Sequence, residues 1–284
     1  MRILLFGSRG WIASQWIDHV KTGWTVIPAT SRADNKESVL KELEEVKPDR
    51  VVIMIGRTHG PGFSTIDYLE QPGKLVENLC DNLFAPLQIA MLTRDRNIHT
   101  TYLGTGCIFD GYEREYKTDD LPDFFGSQYS VVKGYTDRLM KLCPHVLNLR
   151  IRMPITRIDN PRNFISKIIR YKYVCSTPNS MTVLDDFFPI FTTMIESGQT
   201  GTFNCTNPGG ITHEEIFKLY QEIVDPSFTY NLCTKEVLAN YIVSARSNNI
   251  LDTSGLIEYY NVPPIHDAIR TTLNHWQTTS KKEE

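Results

Sequence analysis

The stretch Arg2-Ile-Leu-Leu-Phe-Gly7-Ser-Arg-Gly10-Trp-Ile-Ala13 decides the fold of this chain. Its apolar first half predicts a buried strand, and the two glycines predict a tight turn into a helix. In a first βαβ unit, Gly7 allows the turn, Gly10 lets the backbone approach a pyrophosphate, and Ala13 lets the helix pack closely on the strand. The spacing is GxxGxxA rather than the commoner GxGxxG. We predict a dinucleotide-binding loop formed by Gly7, Arg9, Gly10, Trp11 and Ile12.

Strand-like and helix-like segments alternate along residues 1–153. This alternation is typical of a Rossmann-type, doubly wound parallel sheet of the α/β class. After Pro154 the elements shorten, and we expect a smaller C-terminal substrate-binding lobe at 154–276, interleaved with the sheet, and a flexible tail at 277–284. Predicted strands are 2–6, 24–29, 50–55, 100–103, 146–152 and 201–205. Predicted helices are 11–20, 37–46, 66–70, 74–94, 127–142, 164–171, 184–196 and 213–223.

Composition excludes several classes of protein. The 284 residues carry a net charge of −3, which argues against a nucleic-acid partner. No apolar run approaches the ~18–20 residues of a membrane helix, and the N-terminal apolar segment is too short for a signal peptide. We therefore expect a cytoplasmic protein with no membrane partner. The six cysteines lie at least 27 residues apart, which excludes a CxxC metal site, and we expect no metal.

The end of the second strand indicates which nicotinamide cofactor is bound. An Asp or Glu at this position accepts hydrogen bonds from the ribose hydroxyls of NAD. Here the strand is followed by Thr30, Ser31 and Arg32, and a guanidinium suits a phosphate. We predict that Ser31 and Arg32 select NADPH, with NADH still possible. The alternative is that Arg32 is a solvated loop residue and that Asp34 binds the ribose.

A YxxxK motif, Tyr129-Ser-Val-Val-Lys133, carries the predicted chemistry. The i,i+4 spacing puts both side chains on one helix face. We expect the Lys133 ammonium to lower the pKa of Tyr129, which then acts as general acid to a carbonyl being reduced. Lys133 also holds the nicotinamide ribose. Thr105, at the end of the fourth strand, hydrogen-bonds the same carbonyl.

These features, in this order, resemble the extended short-chain dehydrogenase/reductase superfamily. The resemblance implies a cofactor role for Asn82, on the helix before the fourth strand, and for Gly56. One departure is that residues 53–56 read Ile-Met-Ile-Gly where the superfamily often has Asn-Ala-Ala-Gly. Contact with the cofactor in that segment is made largely through backbone. The resemblance also implies a homodimer that pairs through the YxxxK helix.

Further segments resemble the bifunctional nucleotide-rhamnose synthases, which are epimerase-reductases, over roughly residues 1–275. The segments are Thr-Gly-Cys-Ile-Phe at 105–109, Arg-Met-Pro at 152–154, Asn-Pro-Arg-Asn-Phe-Ile-Ser-Lys at 160–167, Pro-Asn-Ser-Met-Thr at 178–182 and Arg-Ser-Asn-Asn at 246–249. The resemblance implies a nucleotide-sugar substrate, UDP-4-keto-6-deoxy-glucose, and a product, UDP-β-L-rhamnose. Carbons 3 and 5 are inverted through enolates, and NADPH reduces carbon 4.

An epimerase needs a base and an acid in addition to the reductase residues. On a strand, residues i and i+2 point to the same face, so we expect Cys107 to face the same pocket as Thr105 and to supply a thiolate beside Lys133. The resemblance assigns the second epimerisation residue to Lys167, and His59 is a weaker alternative acid. It also implies that the substrate is bound by Asn163, Met181, Thr182, Arg246 and Asn249.

Two other functions stay open. The first is a reductase alone, acting on a dTDP- or UDP-linked 4-keto-rhamnose, which would have no use for Cys107. The second is a non-catalytic regulatory subunit of the same superfamily. Such a subunit could lose Tyr129 or Lys133 freely, whereas this chain keeps both together with Thr105.

Overall fold

The computed structural model describes the backbone of residues 1–283 and the side chains of residues 1–278. The strands are β1 (Arg2–Phe6), β2 (Thr25–Pro28), β3 (Arg50–Ile53), β4 (His99–Thr105), β5 (Gly111–Tyr116), β6 (Val146–Ile151), β7 (Gly201–Asn204) and β8 (Asn249–Leu251). The helices are α1 (Trp11–Ile17), α2 (Lys36–Val46), α3 (Leu75–Leu79), α4 (Ala85–Arg94), α5 (Gln128–Met140), α6 (Phe164–Ile168), α7 (Leu184–Ser197), α8 (His213–Ile223), α9 (Lys235–Leu238), α10 (Ser254–Ile257) and α11 (Ile265–Glu283). A 3₁₀ segment spans Ile66–Glu70, and a π segment spans Cys80–Phe84.

Six strands form one parallel sheet in the order β2-β1-β3-β4-β6-β7. The strand order reverses between β1 and β3. The loops after these two strands therefore open onto the crevice where doubly wound folds bind dinucleotides. The predicted Rossmann-type sheet is confirmed. The second half of the chain contributes β7 to one edge of it.

Helices cover both faces of the sheet. On one face α1 and α7 bury Trp16, Phe187 and Phe191 against β1, β3 and β6. On the other face α2, α4 and α5 pack their apolar residues on the central strands. A separate core joins α6, α8 and α11 in the C-terminal lobe. Burial on both faces explains why the central strands are continuous apolar runs.

Three features differ from the sequence prediction. Strand β5 pairs in parallel with β8 in a second, two-stranded sheet, which the polar sequence of β5 does not suggest. The predicted helix 74–94 is interrupted by the π segment. Helix α11, which the sequence analysis does not predict, continues through residues 277–283, and the flexible tail stays a prediction. None of the helices in the described part of the chain is long and apolar enough to cross a membrane.

Candidate active site

The loop between β1 and α1 fits a dinucleotide pyrophosphate. Gly7 has φ +86°, and a Cβ there would lie 2.7 Å from the backbone of Met54, so only glycine fits against the loop after β3. Gly10 is the N-cap of α1 and makes no side-chain cap. The first backbone N–H groups of α1 are thus left for a ligand oxygen. Ala13 is buried against the sheet, as predicted.

A carboxylate that the sequence does not reveal organises the tip of β2. Glu42, on α2, accepts hydrogen bonds from the backbone N–H and the hydroxyl of both Thr30 (2.6 and 2.8 Å) and Ser31 (3.1 and 2.5 Å). Burial raises its pKa, but these four donors outweigh that effect and lower it below the ordinary value. With its lone pairs occupied in this way, Glu42 positions the tip and has little capacity left for a ribose hydroxyl.

Arg32 extends from this tip into solvent. Its guanidinium forms a bidentate ion pair with Asp34, at 2.9 Å from Nε to Oδ1 and 2.7 Å from Nη2 to Oδ2. Arg32 and Asp34, the two residues predicted to bind at the adenosine ribose, are therefore paired with each other. A 2′-phosphate would compete with Asp34 for the same fork of donors.

Asn82 supports the loop after β3. It lies in the π segment and is buried. Its Oδ1 accepts from the backbone N–H of Arg57 at 2.9 Å, and its Nδ2 donates to the Arg57 carbonyl at 3.0 Å. Both ends of the Asn82 amide are thus occupied by hydrogen bonds to the backbone of Arg57, the residue after the exposed Gly56. The cofactor role of Asn82 stays a prediction, and these two hydrogen bonds show that Asn82 fixes the backbone of Arg57.

Thr105, Tyr129 and Lys133, which we call the reductive triad, meet beside the end of β4. Thr105 ends that strand, and Ser127 caps the start of α5, which carries the other two residues. A hydrogen bond joins the side chains of Thr105 and Tyr129. Lys133 donates from Nζ to the hydroxyl of Tyr102, a buried residue of β4 that the sequence analysis missed.

The protonation of the triad differs from the prediction. Burial raises the pKa of Tyr129 well above its ordinary value; the interaction with Cys107 adds to this, and the hydrogen bond from Thr105 opposes it. Burial lowers the pKa of Lys133 to about 8. The prediction that Lys133 lowers the pKa of Tyr129 is therefore wrong, because the phenol is out of water and the ammonium is directed to Tyr102. Protonated Tyr129 is the form that a general acid needs.

Cys107 lies in a loop of residues 106–110, which we call the cysteine loop. Strand β4 ends at Thr105, so the side-chain alternation of a strand does not determine where the Cys107 thiol points. Instead the Cys107 backbone N–H donates to Oγ1 of Thr105 at 3.1 Å and turns the chain back. The partly exposed Cys107 then packs against the cluster that contains Tyr68 and Tyr129. Cys107 therefore lies beside Tyr129 through this turn of the chain and not through strand alternation.

Buried side chains hold the cysteine loop from beneath. Asn249 donates to the carbonyls of Gly106 (3.0 Å) and Phe109 (2.9 Å). Arg152, which follows β6, donates from Nη1 to the Gly106 carbonyl at 3.2 Å. Both are almost completely inaccessible to solvent. The position of Cys107 therefore depends on residues from distant parts of the chain.

Lys167 lies in the other lobe, on the short helix α6. Burial lowers its pKa, and the positive charge of Arg162 acts in the same direction. Arg162 also lies 3.3 Å from His59, on the loop after β3. Burial lowers the pKa of His59 as well, followed by the charges of Arg162 and Lys167. Near neutral pH this favours the uncharged imidazole, so Lys167 is the better proton donor of the two.

Two known proteins are similar to this chain over most of its length. The L780 UDP-rhamnose synthase of Acanthamoeba polyphaga mimivirus is 50% identical over 283 residues, covering 96% of this chain and 98% of its own, and its crystal structure superposes with a TM-score of 0.95. A bifunctional dTDP-4-dehydrorhamnose 3,5-epimerase/reductase of Arabidopsis thaliana is 37% identical over 262 residues, covering 89% of this chain and 85% of its own. The chain belongs to this family of epimerase/reductases. The protein is therefore an enzyme.

More distant structures share the fold of these epimerase/reductases. A dTDP-4-dehydrorhamnose reductase from Bacillus anthracis, solved in complex with NADP, has a TM-score of 0.81 at 16% identity, covering 95% of this chain and 98% of its own. At that identity the likeness establishes the fold alone. No protein-family model matches the chain.

Four of the five predicted substrate residues are buried and support the site from behind. Asn163 caps α6 and donates to the backbone of Thr156 and Ile158. Met181 lies in the core of the lobe, and Thr182 bonds the Cys205 carbonyl. The side chains of Asn163, Met181, Thr182 and Asn249 are fully buried, and their contact with the substrate stays a prediction.

Arg246 is the predicted substrate residue that stays accessible. It forms a bidentate ion pair with Asp67, at 3.0 Å from Nη1 to Oδ1 and 2.7 Å from Nη2 to Oδ2. Burial raises the pKa of Asp67, but the hydrogen bonds and charge of Arg246 lower it below its ordinary value. The pair connects the 3₁₀ segment to the C-terminal part of the chain. Asp67 gives no sequence signal, because its partner is 179 residues away.

Proposed function

We propose that this enzyme converts UDP-4-keto-6-deoxy-glucose to UDP-β-L-rhamnose by inverting carbons 3 and 5 and reducing carbon 4. The observation that carries the proposal is the packing of Cys107 against Tyr129, which puts a thiol beside a complete reductive triad. A reductase alone would need the triad only. The choice of UDP follows the L780 UDP-rhamnose synthase, since the Arabidopsis relative is named for a dTDP sugar.

The residues divide the work as follows. Cys107 removes the proton from carbon 3 or 5, the electron pair moves into an enolate on the 4-keto oxygen, and Lys167 returns a proton from the other face. Thr105 and Tyr129 hydrogen-bond the 4-keto oxygen during both reactions. NADPH, when bound, supplies the hydride for carbon 4. Tyr129 then gives its proton to the developing alkoxide, while Lys133 holds the nicotinamide ribose.

NADPH is the proposed cofactor. Glu42 is saturated by four donors, so the tip of β2 offers a ribose phosphate the hydroxyl of Ser31 and the guanidinium of Arg32. The NADP complex of the Bacillus anthracis reductase gives the same indication for a chain of this fold. The pyrophosphate would be held at Gly7 and Gly10 and at the start of α1, where Trp11 and Ile12 supply backbone N–H groups.

We also propose a homodimer, with the α3–α4 run and α5 of two copies packed together. These adjacent segments expose the apolar residues Leu75, Val76, Leu79, Phe84, Met91, Tyr135, Leu139 and Leu142. Such a contiguous apolar face marks an interaction surface. Sedimentation should show a dimer that Val76→Glu converts to a monomer. A cytoplasmic location stays a prediction.

The test of the proposed function is the structure of the sugar product. The purified enzyme is incubated with UDP-4-keto-6-deoxy-glucose and NADPH, with no other enzyme, and the product is analysed by NMR. We expect UDP-β-L-rhamnose. If rhamnose forms only after a separate 3,5-epimerase is added, the protein is a reductase alone. If NADPH is not consumed in either incubation, the catalytic assignment is wrong.

A further inference from the structure

Two arginines two residues apart are buried in different ways. Arg150, on β6, forms a bidentate ion pair with Asp137, at 2.8 Å from Nε to Oδ1 and 2.6 Å from Nη2 to Oδ2. Arg152 is equally buried, yet every hydrogen-bond acceptor it finds among the described side chains and backbone is a neutral oxygen. Its Nε has no partner there. A buried charge without a counter-charge is costly unless it serves an anion.

The guanidinium of Arg152 lies directly under the cysteine loop. Nη1 donates to the Gly106 carbonyl and to Oγ of Ser247, each at 3.2 Å. Nη2 donates to Oδ1 of Asn179 at 2.6 Å. A Cβ on Gly106 would lie 3.0 Å from Cγ of Arg152, so the loop backbone packs against the aliphatic part of the arginine side chain. The next residue after this contact is Cys107.

The charged or titratable groups around the Cys107 thiol and its arginine come from several elements. Tyr68, in the 3₁₀ segment, lies in the cluster against which Cys107 packs. Burial lowers the pKa of His213, at the start of α8, and the charge of Arg152 acts in the same direction. Tyr129 and Lys133 face the thiol from α5, and Arg152 faces it from the end of β6. Asp110, at the end of the cysteine loop, acts on Arg152. Lys133 is a weak source of positive charge, because burial lowers its pKa to about 8. Burial also lowers the pKa of Arg152, but a guanidinium starts so high that it stays charged.

We propose that Arg152 is a positioning residue for epimerisation: its buried charge holds Cys107 as a thiolate, and its hydrogen bonds fix the cysteine loop. This inference rests on the proposed function for the role of Cys107 as base. In that step the C–H bond at carbon 3 or 5 breaks, an S–H bond forms, and the electron pair moves to the 4-keto oxygen. Arg152 exchanges no proton. Reduction does not involve the thiolate and therefore does not need Arg152.

Alkylation of Cys107 tests the thiolate without using activity. The rate of reaction with iodoacetamide follows the thiolate fraction, and peptide mass spectrometry separates Cys107 from the other five cysteines. For the wild-type protein we expect half-maximal alkylation about one pH unit or more below the ordinary value of ~8.5. Arg152→Gln should raise this midpoint by at least about one unit, and Arg152→Lys, which keeps a charge, should lie between the two. A wild-type midpoint at or above ~8.5 overturns the proposal.

Activity provides the second measurement. Arg152→Gln should exchange the protons of carbons 3 and 5 with D₂O about tenfold more slowly at pH 7, in line with a one-unit shift. An added 3,5-epimerase should restore formation of the reduced product. The control is Arg150→Lys, which disturbs a buried ion pair two residues before Arg152 and should leave the alkylation midpoint unchanged. An equal shift of the midpoint in the control would mean that a general loosening of the structure, and not the loss of the Arg152 charge, changes the reactivity of Cys107.

The two proposals fail in distinguishable ways. If the wild-type protein makes no rhamnose, the proposed function is wrong, while the alkylation midpoint still reports on Arg152 and Cys107. If rhamnose forms but Arg152→Gln leaves the midpoint and the exchange unchanged, the inference alone is wrong. Should Arg152→Gln fail to fold, the wild-type and Arg152→Lys midpoints decide, since an ordinary wild-type value contradicts the proposal.

Discussion

The reductive triad and the cysteine loop lie side by side but are built differently. The triad is carried by two regular elements, β4 and α5, which pack on each other within the first 140 residues. The cysteine loop has no regular structure and is held by Arg152, Ser247 and Asn249 from the second half of the chain, with Asn179 bonded to Arg152. The chemistry of reduction thus depends on the sheet, and that of epimerisation depends on how the C-terminal lobe is docked.

This difference makes the two activities separable by mutation. Replacing Tyr129 with Phe removes the general acid and should lower the rate of 4-keto reduction by about 10²–10⁴. Proton exchange at carbons 3 and 5 should persist at a reduced rate, because the cysteine loop is intact while the enolate keeps only the hydrogen bond from Thr105. NADPH oxidation measures the reduction, and D₂O exchange measures the epimerisation. Tyr135→Phe, on the exposed face of the same helix, is the control. Reduction by Tyr129→Phe at a near wild-type rate would remove Tyr129 from the mechanism.

Lys167 tests the epimerising side from the other lobe. Lys167→Met keeps the length of the side chain but removes the proton donor, and should slow exchange at one or both carbons by about 10². Reduction of a substrate already epimerised should be retained. Lys172→Met, an exposed lysine of the same lobe, is the control. If Lys167→Met exchanges both protons normally and the corresponding His59→Gln does not, the acid is His59.

Cofactor choice should affect reduction and leave exchange unchanged. Arg32→Ala should weaken NADPH binding by about ten- to hundredfold and NADH binding little, because only NADPH carries the 2′-phosphate. Exchange in the absence of cofactor should not change. Asp34→Asn frees Arg32 from its ion pair and should improve NADPH binding. Equal losses for both cofactors in Arg32→Ala, or a selective loss of NADH in Asp34→Asn, would assign the ribose to Asp34.

The smallest expected effect is on pH dependence. Burial lowers the pKa of Lys133 to about 8, so its charged form predominates below that pH and is lost above it. If the ammonium is needed to hold the nicotinamide ribose, kcat/KM for NADPH should fall about tenfold between pH 8 and pH 9.5. A profile that stays flat to pH 10 would mean that Lys133 acts only through its hydrogen bond to Tyr102.

The same difference explains what could be predicted from the sequence. The sheet, the loop at Gly7 and the triad are encoded in short local patterns. The structure confirms the sheet, and it brings Thr105, Tyr129 and Lys133 together beside the end of β4. Glu42, Asp67 and Arg152 were missed as supports, because each meets its partner through tertiary packing and has no local signature. The contact of Asn163, Thr182 and Asn249 with the substrate stays a prediction for a related reason. A motif shows that a polar residue belongs to the site but not whether its polar atoms face the ligand or the backbone.

The central claim is that one pocket holds two separable activities, and Cys107→Ser tests it most directly. Serine keeps the shape but does not ionise near neutral pH, so the base is lost while the reductive triad remains. The variant is incubated with UDP-4-keto-6-deoxy-glucose in D₂O without NADPH, and deuterium at carbons 3 and 5 is read by mass spectrometry and NMR. We predict no exchange at either carbon, with reduction restored when a separate 3,5-epimerase and NADPH are added. Wild-type exchange at both carbons would contradict the account.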